Sequence, residues 1–85
     1  MKEKEIGYVS KFFGGISVAA IEITADEISV GDTIHIRGHT TELKMKVDSI
    51  QIEHETVETA KKGDSIGVKV TEKARRKDKV YKLAD

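Results

Sequence analysis

The chain has 85 residues, 38% of them hydrophobic, which allows one small domain with a thin core. It holds no cysteine, which excludes disulfides and thiolate metal sites, and no proline, which leaves turn-making to residues such as glycine and aspartate. Fifteen bases and fifteen acids cancel, but nine acids face three bases between Glu22 and Glu58, and seven bases face three acids between Lys69 and Asp85, so a neutral total hides an acidic middle and a basic end compatible with an anionic partner.

No run of about 18 apolar residues occurs, so no membrane span is expected. The charged start Met1-Lys2-Glu3-Lys4-Glu5 is not followed by an apolar signal region, and the cytoplasm is the expected location. Residues 1–4 read as a frayed start and residues 5–85 as a single β-barrel domain.

Alternation of apolar side chains, the period of a half-buried strand, recurs along the chain. The first strand spans 5–13, with Ile6, Tyr8 and Phe12 on one face and Val9, Lys11 and Phe13 on the other. Gly14-Gly15 is a hairpin dipeptide. The second strand, 16–24, is apolar on both faces, which makes it central or bulged. Residues 25–31 form a connection. In the third strand, 32–37, Ile34 and Ile36 point inward and His35 and Arg37 outward. A long strand over 42–54 changes parity at Asp48-Ser49, where a bulge would restore the inward face. Residues 55–62 read as a loop or one helical turn. Strands at 65–71 and 79–83 complete the set, separated by a charged turn at 72–78. Val30-Gly31-Asp32 and Lys62-Gly63-Asp64 each launch a strand, since glycine takes positive φ freely and aspartate bonds its own backbone. The fold class is all-β, a small closed antiparallel barrel of about six strands.

Three motifs in this order and spacing carry a resemblance: Ile28-Ser29-Val30-Gly31-Asp32-Thr33-Ile34-His35-Ile36, Val47-Asp48-Ser49-Ile50 and Gly63-Asp64-Ser65-Ile66-Gly67-Val68. Together they resemble the β-barrel second domain of elongation factor Tu and related translational GTPases. The resemblance implies a stand-alone binding module for RNA or a ribosome-associated factor. In that family the barrel helps hold the aminoacyl end of tRNA, and the aligned pocket positions here are Gln51, His54, Gly63, Ser65 and Gly67. No Gly-x-x-x-x-Gly-Lys-[Ser/Thr] loop is present, so neither nucleotide binding nor GTP hydrolysis is expected.

Lys73, Arg75, Arg76, Lys77 and Lys79 cluster in one turn. They read as a phosphate-contacting, nucleic-acid-binding patch, or as a solvated hairpin tip. Phe12 and Phe13 cannot share a face of one strand, so one is available as a partner contact or packs over a barrel end. His35, His39 and His54 lack the spacing of metal ligands and read as surface residues, and no metal or cofactor is expected. Ser17, Ser49 and Ser65 lack a nucleophile context, so the chain is not expected to be an enzyme. The alternative function is a protein-interaction accessory domain for a separately encoded enzyme.

Overall fold

The computed structural model describes residues 2–84 and is all-β. Ten strands follow in chain order: β1 (Lys2–Phe13), β2 (Val18–Ile23), β3 (Glu27–Ser29), β4 (Thr33–Arg37), β5 (Glu42–Lys46), β6 (Ile50–Ile52), β7 (Glu55–Val57), β8 (Thr59–Lys61), β9 (Ser65–Lys69) and β10 (Lys79–Ala84). Eight of them form one antiparallel ladder in the order β5-β4-β10-β1-β2-β9-β6-β7, and β3 pairs with β8 as a separate ribbon. Among the described residues no pairing joins β5 to β7, so a closed cylinder of about six strands is not found. Among the described residues no helix is long and apolar enough to cross a membrane.

The differences from the sequence reading have local causes. The expected long strand over 42–54 is two strands with different neighbours. β5 pairs with β4, whereas β6 pairs with β9 and β7. The parity change at Asp48-Ser49 is where the chain leaves one part of the ladder for another, and Val47 just before it is pinned by Gly31 N–H to Val47 O (2.9 Å) and Val47 N–H to Asp32 O (2.8 Å). Residues 55–62 are neither loop nor helix but carry β7 and β8, and the connection at 25–31 carries β3. Residues 2–4, read as a frayed start, lie in β1 and pair with β10, while Met1 and Asp85 fall outside the described residues.

The core is aliphatic. Ile6, Ile21, Ile28, Ile34, Ile36 and Ile50 are fully buried, with Val9, Val47, Val68 and Val80, and no aromatic side chain joins them. β-branched side chains are stiff and pack well on a pleated surface, which suits an interior this small. Ile28 and Ala60 bring the β3–β8 ribbon into the same cluster. β1 does not keep one parity along its length. Its register shifts between Glu5 and Gly7 and again between Val9 and Lys11, so Ile6 and Val9 both point inward while Tyr8 is 42% exposed. The expected grouping of Ile6 with Tyr8 on one face and Val9 on the other is corrected by these bulges. β2 is central, between β1 and β9, and buries Ala19, Ile21 and Ile23.

One turn design occurs three times. In Ser29–Asp32 and Lys61–Asp64 the aspartate carboxylate accepts the first residue's N–H (2.8 and 2.9 Å), and the aspartate N–H returns to that residue's carbonyl (3.0 and 2.9 Å). Gly31 and Gly63 hold φ of 99° and 98° at the third position. Arg75–Asp78 repeats both bonds (2.8 and 3.1 Å), with Lys77 at φ 77° in the glycine position. Each turn launches a strand, β4, β9 and β10 respectively. The third copy is hidden in the sequence because its left-handed residue is a lysine.

Candidate functional site

Two surfaces meet at the β1–β2 hairpin. The hairpin loop is four residues, Gly14–Ser17, between paired Phe13 and Val18, rather than a Gly14-Gly15 dipeptide. Its positive φ sits on Ser17 (54°). Phe12 and Phe13, adjacent on a strand, face opposite ways. Phe12 is half-buried against the core and Phe13 is 41% exposed.

Phe13 walls an apolar groove of about 420 Å³. Ile16, 63% exposed, stands beside it, and Val18, Ala20 and Ile66 form its floor. Gly67 lies there too, with only Val18 Cγ1 close enough to meet an added Cβ, so the missing side chain keeps the groove open. The polar rim is Gln51, Glu53, His54 and Ser65. Ser65 Oγ donates to Glu22 Oε2. Glu53 and His54 are the two central residues of the β6–β7 hairpin, with φ of 49° and 68°. Positive φ at both positions is the type I′ pattern, which strongly favours Asn-Gly, so this rim is held in a costly conformation. Backbone strain of this kind clusters at ligand clamps and switch regions.

Phe12 walls the second surface, an open basin bordered by Lys11, Lys73, Arg75 and Arg76 over buried Ala74. Its loop is firmly built. Asp78 is 5% exposed and caps Arg75 N–H, and Val9 and β10's approach are tied by Val9 N–H to Asp78 O and Lys77 N–H to Val9 O (both 2.7 Å). Among the described residues none of Lys11, Lys73, Arg75 and Arg76 has a carboxylate within 4.0 Å, whereas Lys4, Lys79 and Lys82 do.

The sequence-selected residues divide between these surfaces. Gln51, His54, Ser65, Gly67 and Phe13 converge on the groove, and Lys73, Arg75, Arg76 and Phe12 on the basin. Gly63 shapes the turn before β9 and does not line the groove. Lys77 supplies the turn's left-handed residue, and Lys79 pairs with Glu5 (3.2 Å). Sequence reasoning missed Ile16, Glu53 and Lys11. The signal for Ile16 was the second strand's apolar outer face, which had no assigned cover.

His35 is a correction. It was read as a surface residue but is 4% exposed, and its Nδ1 lies 2.7 Å from Glu3 Oε2. Its outer face is covered because β4 is flanked by β10 and β5, which set Tyr81 and Lys44 beside it. The His35 hydrogen bond holds the Glu3 carboxyl below its ordinary value, with the charges of His35, Arg37 and Lys44 adding to it and desolvation opposing it. Asp26 is also lowered, chiefly by the Glu27 N–H and then by Lys4 and Lys82.

No protein-family model matches the chain. An uncharacterized protease of Methanocaldococcus jannaschii is 46% identical over 82 residues, covering 95% of this chain and 20% of that protein. A collagenase of Porphyromonas gingivalis is 42% identical over 79 residues, covering 92% of this chain and 22% of that protein. The chain thus spans about a fifth of the length of the curated relatives it matches. Among solved structures, the C-terminal domain of a protein described as a U32 peptidase of Geobacillus thermoleovorans superposes with a TM-score of 0.87 at 14% identity, covering 95% of this chain and 93% of that domain. These relatives overturn the resemblance to translation factors, and with it the RNA-binding, ribosome-associated reading. Two of the three motifs describe Gly-Asp turns feeding alternating strands, which is turn chemistry rather than a mark of one family, and a fold carries no function by itself.

Proposed function

We propose that this chain is an accessory docking domain of a U32-type, collagenase-like peptidase, itself without a catalytic centre. The match over 95% of its length to one fifth of a protein named as a protease carries this reading. A segment of that size leaves the chemistry to the remainder of such a protein, whether fused or separately encoded. In this reading residues 5–85 act as one unit, with the ladder and the β3–β8 ribbon wrapping a common barrel-like interior. The groove walled by Phe13 and Ile16 is the face that meets the catalytic part. Two large exposed apolar side chains beside one opening, with a strained polar rim, suit a buried anchor surrounded by hydrogen bonds.

The test is assembly in trans. The Methanocaldococcus relative, truncated to remove its matching segment, is mixed with this chain and followed by size-exclusion chromatography with light scattering. A one-to-one complex is expected, and Phe13→Ser with Ile16→Ser should weaken it by at least about tenfold, the scale of losing central apolar anchors. No complex at any accessible concentration, or cleavage of gelatin by the chain alone, overturns the reading.

A further inference from the structure

The basin on the other side of β1 has no part in that docking, and its composition is specific. Lys11 comes from β1, and Lys73, Arg75 and Arg76 from the loop before β10. Among the described residues these cations have no carboxylate beside them, although Lys11 Nζ lies 5.0 Å from the centroid of the Phe13 ring, and their mutual repulsion is relieved by water or a bound anion. The loop that carries three of them is fixed rather than loose. Ala74 is buried, Asp78 holds the Arg75 N–H, and Gly38 packs so closely on the Asp78 carboxyl that an added Cβ would collide with it.

We propose that the basin binds an acidic stretch of polypeptide, the carboxylate-rich segment of a protein substrate, and presents it to the catalytic part. The choice of polypeptide rests on the accessory-domain reading above. Arginine forks match carboxylates and phosphates alike, so carboxylate follows from the choice of polypeptide. The basin itself argues against a single strand of nucleic acid, because the single aromatic wall, Phe12, offers no series of rings on which successive bases would stack.

The test uses the full chain and a fluorescein-labelled ten-residue oligoglutamate, read by fluorescence polarisation at 50 mM and 500 mM salt. Binding at low salt that fades at high salt is expected. Arg75→Ala with Arg76→Ala should weaken it about tenfold or more, the scale of losing one or two charged hydrogen bonds. Lys11→Glu, on a separate element, should do the same, which guards against a loop that no longer folds; circular dichroism checks each variant. Ile16→Ser, at a residue that lines only the groove, should leave this binding unchanged. Absence of binding at low salt, indifference to both basic variants, or tighter binding of a ten-nucleotide single-stranded RNA than of the peptide overturns the proposal. Peptide binding lost with assembly in trans intact sinks the basin alone, and the converse sinks the docking groove alone.

Discussion

The groove and the basin share a hairpin but are stabilised in opposite ways. The groove is apolar at its floor and walls, with polar side chains only at the rim, so its open state exposes surface that water disfavours. The basin is cationic at its edge and its cost is electrostatic, which salt relieves. They have one device in common. Glu53 and His54 at the groove's rim and Lys77 beside the basin hold left-handed backbone with side chains, where Gly31 and Gly63 serve the two sister turns. Asp26, at neither surface, is left-handed as well (φ 60°), so the strain is not confined to the two surfaces.

Several substitutions break or sharpen this contrast. Ile21→Ala should abolish it by removing the scaffold both surfaces share. Ile21 is fully buried on the central strand, and a cavity there should cost about 2–5 kcal/mol, read as a lower denaturation midpoint with both bindings weakened together. Asp78→Ala should separate the two surfaces. The Arg75 N–H loses its acceptor, at about 1–3 kcal/mol, and the loop should become protease-sensitive while the groove keeps its partner. His54→Gly and Lys77→Gly should each stabilise the fold by about 0.5–1 kcal/mol, since glycine occupies left-handed backbone without a Cβ penalty. If thermal stability rises while the corresponding binding falls, the strain serves that surface; if neither changes, the contrast in turn residues has no energetic content.

The smallest effect lies outside both surfaces. Glu3 titrates below its ordinary value in the folded chain because His35 bonds its ionised form. Its contribution is therefore present above the unfolded pKa near 4.5 and is lost as pH falls through the lowered folded value. Acid unfolding followed by circular dichroism should show a shallower acid limb for Glu3→Gln, with the groove and basin variants indistinguishable from wild type there.

The parts of this architecture that could be read from sequence are those where a period repeats. Ile34 and Ile36, and Ile66 and Val68, alternate and lie in the core, and the Gly-Asp turns sit where expected. β3, β7 and β8 could not be read, because three residues such as Thr59–Lys61 hold too few periods to separate a strand from a loop. The break at Asp48-Ser49 is visible in the sequence, but a bulge and a change of partner strand leave the same parity signature. The groove is a mixed case. Gln51, His54, Ser65 and Gly67 do converge, yet they were chosen through a likeness to translation factors that the relatives do not support. His35 was misplaced because a single imidazole between two isoleucines says nothing about what later strands lay over it.

Phe12 and Phe13 give the hairpin a phase. Because neighbouring side chains leave a strand on opposite sides, whichever ring serves the partner groove leaves the other to the cationic basin. Deleting Ser10, which lines neither surface, would invert that phase, sending each ring to the wrong surface while leaving the amino-acid content of both unchanged. Insertions in pairs preserve it. The two recognition faces are thus locked to one another by the parity of a short count of residues, and drift in hairpin length among chains of this kind should run in even steps.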